Sequence, residues 1–96
     1  MFEGKYVIVR GDRSGVFAGT LVEQNGQEVV LSNVRRLWRW YGATECLQIA
    51  MEGVKKPKEC HFTLVCDSIK LLDAIEVIPT TGEAEAIIKA VPVWKM

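Results

Sequence analysis

The densest chemistry in the chain is the run R-R-L-W-R-W, Arg35 to Trp40, with Tyr41 directly after it. Arginine forks pair with phosphate oxygens in bidentate fashion. Aromatic planes stack on nucleobases for about 1–3 kcal/mol each. Together these residue types suit a surface that clamps and stacks a nucleotide. On a strand, side chains alternate between faces. Arg36, Trp38 and Trp40 would then share one face, and Arg35, Leu37, Arg39 and Tyr41 the other. The competing reading is an amphipathic strand whose tryptophans are core and whose arginines snorkel to water. Core is the favoured expectation for the tryptophans, because large aromatics are mostly buried. Function is the favoured expectation for the arginines, because a strand buried on both faces would not carry three. Arg10 and Arg13 flank the loop G-D-R-S-G, whose glycines are expected to leave backbone N–H groups free for a phosphate. The candidate ligand-binding set is therefore Arg10, Arg13, Arg35, Arg36, Trp38, Arg39, Trp40 and Tyr41.

Other chemistry finds less support. His61 is the single histidine, between Cys60 and Phe62. Cys60, His61 and Cys66 match no zinc-ligand spacing, and a fourth ligand is missing. A Cys60–His61 nucleophile pair is excluded by strand alternation, which points neighbours to opposite faces. No paired carboxylates stand out, and there is no phosphate-binding P-loop and no dinucleotide fingerprint. No catalytic residue, metal or cofactor is expected, and the chain reads as a binding protein rather than an enzyme.

Composition bounds the partners. Twelve basic residues balance twelve acidic ones. A general electrostatic hold on nucleic acid or an anionic membrane therefore has no support, although a local basic patch does. No apolar run approaches the roughly 20 residues of a membrane span. The opening M-F-E-G-K-Y does not read as a signal peptide, so a cytoplasmic location is expected. Three cysteines, an odd number at no metal-ligand spacing, read as reduced thiols.

The elements that must position these residues are short and mostly β. Ninety-six residues make one domain, 1–96. Strands are expected over Lys5–Arg10, Val16–Glu23, Gln27–Leu31, Arg35–Tyr41, Phe62–Cys66 and Ile69–Ile78. Gly19 suggests a bulge or a close backbone approach. Asn25-Gly26 predicts a two-residue turn that pairs Gln24 with Gln27, Glu23 with Glu28, Val22 with Val29 and Leu21 with Val30. A helix is expected after Thr44, with Leu47, Ala50, Met51 and Val54 inward and Gly53 at its end. Residues 55–59 read as a solvated loop. A second helix should start at Thr80, with Glu83 in capping-box spacing and Ala84, Ile87, Ile88 and Val91 as its apolar stripe, and end at Pro92. The expected fold is α+β: a bent, mostly antiparallel sheet of about six strands, with a partly closed barrel as one form of it, and two short helices.

V-I-V-R, S-G-V-F-A-G, N-V-R-R-L-W-R-W-Y-G-A, I-E-V-I-P-T-T and V-P-V-W-K together cover most of the chain. In these stretches it resembles a family of small tailed-bacteriophage proteins of unknown function. The resemblance transfers no residue roles. It implies a phage product made in the host cytoplasm. By analogy it implies a homo-oligomeric sponge that sequesters a nucleotide immune signal of the cyclic oligonucleotide or cyclic ADP-ribose type. The alternatives are an inhibitor that docks on a host protein and a small nucleic-acid binder.

Overall fold

A run of Tyr, Val and Ile buries well on a pleated surface, and residues 6–9 are all buried in the computed structural model, which describes residues 1–94. The strands are β1 (Tyr6–Gly11), β2 (Val16–Asn25), β3 (Glu28–Arg39), β4 (His61–Phe62), β5 (Cys66–Leu71) and β6 (Ala74–Pro79). The helices are α1 (Cys46–Glu52) and α2 (Gly82–Ala90), with a single 3-10 turn at Pro57–Glu59 inside the expected 55–59 loop. Every ladder is antiparallel, in the order β4-β3-β2-β1-β6, and β5 also pairs with β3. The fold is α+β, and its bent sheet is not closed. Lys95, the last residue of the V-P-V-W-K stretch, lies outside the described residues.

The sheet has a core on each face. Tyr6, Ile8, Ala18, Leu37 and Phe62 face α1 and α2, meeting Ile49, Ala50, Ala84 and Ile88. Val7, Val9, Phe17, Leu21, Val29, Leu31, Val34 and Leu71 form the second cluster. No helix residue belongs to this second cluster, so the sheet curls around it. β5 and β6 make that possible. Both run antiparallel to strands that share one direction, so they are one strand bent at Leu72-Asp73, the first half on β3 and the second on β1. The expected single strand Ile69–Ile78 is thus split by this bend.

Two expected strands, 27–31 and 35–41, are one. The join is a bulge at Asn33, which takes a φ of 48°. It faces Gly19, where an added Cβ would lie 3.0 Å from the Ser32 carbonyl and from Val34, so the anticipated close approach is real. The extra residue reverses the alternation of β3. Val29 and Leu31 point into the curl before it; Val34 and Arg36 do so after it.

The hairpin register departs from expectation by one residue. Asn25 pairs with Glu28, Gln24 with Val29 and Glu23 with Val30. Gly26, at φ 62°, takes the first turn position and Gln27 the second, so the positive φ falls on glycine alone. Val22 bulges out, which keeps Leu21 opposite Leu31 inside, while the shifted turn register places Glu23 opposite Val30 and so avoids the unfavourable Glu23–Glu28 pair.

The helix ends also shift by one. Glu45, not Thr44, caps α1 by accepting from the Leu47 and Gln48 amides. Its buried face is Cys46, Ile49 and Ala50, leaving Leu47 and Met51 exposed; Gly53 ends it at φ 75°, as expected. α2 is capped by Thr81, because the Thr80 amide and hydroxyl both donate to the Tyr6 carbonyl. Its Ala84, Ile88 and Val91 are buried and Ile87 packs beside them.

Candidate functional site

The eight arginines and aromatics singled out from the sequence are dispersed by the fold, and one group of them stays together. Arg35 is taken up by the fold. It is 3% exposed on the helix side of β3. Its Nε donates to the Thr63 carbonyl at 3.0 Å, and its Nη1 to the carbonyls of Ile88 and Val91 at 3.0 and 2.9 Å. The guanidinium caps the C-terminal end of α2, where a positive charge also meets the negative end of the helix dipole. Burial lowers its pKa, yet an arginine in this setting stays charged. Nη2 alone has no partner among the described residues. Arg35 is therefore a structural cation.

Arg10 is exposed on the same face and ion-paired to Glu76 at 2.9 Å. Arg13 is exposed on the β1–β2 loop. The phosphate cradle expected in that loop is already filled. Asp73, at the β5–β6 bend, accepts from the Arg13 amide at 2.7 Å, the Ser14 amide at 3.0 Å and the Ser14 hydroxyl at 2.7 Å. These bonds hold the Asp73 carboxyl below the usual carboxylate range, the Ser14 hydroxyl first among them. An added Cβ at Gly11 would strike the Ser14 hydroxyl, so the loop closes tightly around its internal anion.

Arg36, Trp38 and Arg39 remain exposed around the end of β3. Trp38 is 46% exposed, which overturns the expectation that it is core; Trp40 is half-buried against the helix-side core. The physical reason is the Asn33 bulge, which sends Arg35 and Leu37 to the helices and Arg36 and Trp38 away from them. Tyr41 is exposed, with its amide donating to the Cys60 thiol. Arg36 and Arg39 have no carboxylate partner among the described residues. The Arg36 guanidinium lies 4.8 Å from the Phe17 ring centroid, and that of Arg39 lies 6.0 Å from Trp38.

Residues the sequence did not suggest complete this surface. Trp38 meets Trp94 edge-on at 4.8 Å and His61 at 5.0 Å; His61 stacks on Trp94 at 4.4 Å and 12°. The Trp94 amide donates to the Phe62 carbonyl, which seats this cluster against β4. Beside it lies a recess of about 230 Å³ lined by Phe17, Val34, Arg35, Arg36, Thr63, Leu64, Cys66 and Ile69. Thr63 fixes its rim. The Arg36 amide donates to the Thr63 hydroxyl at 2.8 Å, and the Thr63 amide donates to the Arg36 carbonyl. No local spacing links Phe17, Val34, Thr63 and Ile69; the β2–β3 register, the Thr63–Arg36 bonds and the β3–β5 register together bring them around one recess. Among the described residues no three His, Cys, Asp or Glu side chains cluster as a metal site. No described helix is long and apolar enough to cross a membrane.

No curated protein and no solved structure gives a significant match to this sequence. A family model does, over residues 4–88, which span β1 to most of α2. The chain belongs to the family described as Domain of unknown function (DUF6948).

Proposed function

We propose that this chain is a non-enzymatic binding protein that takes a phosphate-bearing nucleotide on the surface formed by Arg36, Trp38 and Arg39. One observation carries the reading: two exposed arginines, without carboxylate partners among the described residues, flank an exposed tryptophan on one strand end. Free guanidinium forks suit phosphate oxygens, and the exposed ring suits a base. Balanced net charge fits a few local cations rather than a polyanion track. Under this reading the biological setting is the one implied by the phage resemblance: a homo-oligomeric sponge in the host cytoplasm that removes a cyclic oligonucleotide or cyclic ADP-ribose type of signal. Arg10, Arg13 and Arg35 fall outside the proposed contact set.

Native mass spectrometry with a panel of cyclic and linear nucleotides and ADP-ribose forms tests this. One retained ligand mass is expected on the wild type. The double variant R36A/R39A should bind it at least about tenfold more weakly with an unchanged far-ultraviolet spectrum. Equal affinity of variant and wild type would remove these arginines from the site.

A second reading has its own observation. Leu64, Val65 and Val93 are about half exposed or more, together with Trp38 and Trp94. Exposed aromatics and arginines beside apolar residues are what protein interfaces use as anchors. A preparation that ignores the nucleotide panel and retains one host protein, losing it on Trp38→Ala, would establish that reading instead.

A further inference from the structure

The recess beside Arg36 has a size and a lining that restrict what can enter it. Phe17, Val34 and Ile69 give it an apolar floor and Leu64 an apolar wall. Of the two arginines that line it, Arg35 is buried and bonded to backbone carbonyls, so Arg36 is the exposed charged group at its rim. At about 230 Å³ it falls below the roughly 300–1,000 Å³ of ordinary small-molecule sites. One planar ring fits such a space, whereas a whole dinucleotide does not. An apolar floor rejects an unpaired phosphate, because burying a charge without a partner is prohibitive. The charged part of any occupant must therefore stay at the rim, where Arg36 is.

Arg36 is built to move there. Its backbone is clamped on both sides by Thr63. Its side chain is exposed and, among the described residues, makes no hydrogen bond or ion pair and rests on the Phe17 ring. An exposed cation–ring contact is weak, whereas a bidentate arginine–phosphate pair is strong. An incoming ring can replace the guanidinium over Phe17 while the guanidinium turns to the phosphate.

We propose that the recess takes the single planar ring of a ring-plus-phosphate ligand, and that Arg36 lifts off Phe17 to pair with the phosphate. The inference deepens the nucleotide reading and rests on it for the biological ligand. It also names a gate residue and a floor that the reading alone does not require.

Phenyl phosphate, the smallest molecule with both parts, is the probe. Methyl NMR of the full chain should show the Val34, Leu64 and Ile69 methyls shifting with phenyl phosphate and not with inorganic phosphate. R36M keeps much of the apolar stem and removes the charge, and should weaken phenyl phosphate about tenfold or more. L64W, at an exposed wall position, should block entry while the remaining spectrum stays in place. Silent methyls, or equal shifts with inorganic phosphate, would overturn the proposal. The two ideas fail separately. A nucleotide that binds wild type and L64W equally sinks the recess and leaves the surface formed by Arg36, Trp38 and Arg39. Phenyl phosphate seated in the recess with no nucleotide bound sinks the nucleotide and leaves the recess.

Discussion

Arg35 and Arg36 are neighbours of one chemical type with opposite consequences. Arg35→Met removes the donor from the carbonyls of Thr63, Ile88 and Val91 and leaves them in an apolar setting. A loss of about 2–4 kcal/mol in urea unfolding is expected. A loss under about 1 kcal/mol would mean that water re-pairs these carbonyls. Arg36→Met should be near neutral by the same assay, because its side chain contacts little beyond one ring face. The thiols divide in a similar way. Burial pushes the Cys46 and Cys60 thiols up, whereas Cys66 is exposed. Native alkylation with iodoacetamide should add one adduct quickly, at Cys66, and two more only on unfolding; early labelling of Cys60 would contradict its placement. At this scale the sequence was half legible. It announced that the 35–41 run carried something beyond core, and that alternation divides it. It could not choose the buried face, because that choice is made by one extra residue at Asn33, whose effect depends on Gly19 across the ladder.

The β1–β2 loop and the β5–β6 bend stabilise each other through Asp73, and this gives the pair a pH signature. The folded-state pKa of Asp73 is depressed below its unfolded value of about 3.9. Its contribution is therefore fully present above about pH 4 and is lost as pH falls through the lower folded pKa. The urea midpoint of wild type should exceed that of Asp73→Asn at pH 7, and the difference should shrink below about pH 4. A constant difference down to pH 2 would show that the carboxylate charge is not what the loop uses. This element explains why the glycine-rich loop misled. Its composition truthfully reported free amides suited to an anion. What it could not report is that the anion comes from residue 73 of the same chain. The hairpin error has a related origin. Asn-Gly is a sound turn signal, but which of the two takes the first corner was decided by keeping Leu21 and Leu31 inside and Val22 out.

Across the whole molecule, class was more legible than closure. The number of strands and helices follows from local pattern, since alternation and caps are short-range signals. Their order does not, because the two expected strands 27–31 and 35–41 are one, and the expected strand Phe62–Cys66 gives way to β4 and β5, so three strands rather than two follow α1. That strands five and six are one bent strand on two different neighbours is a long-range fact without a local mark. The same topology leaves the molecule with two unlike handles under load. β1 is held by β2 on one side and β6 on the other. On the other side of the chain, the described residues after α2 are held by a bridge between Val93 and Phe62 and by the packing of Trp94 on His61 and Trp38, with no ladder. A pull from the Met1 side must shear two ladders together, whereas a pull from the Trp94 side peels the ring contacts and the bridge in turn and then a helix. An ATP-driven unfoldase should therefore translocate the protein more slowly from an N-terminal degradation tag than from a C-terminal one. Equal rates from both tags would mean that the two ladders of β1 do not resist as one mechanical unit.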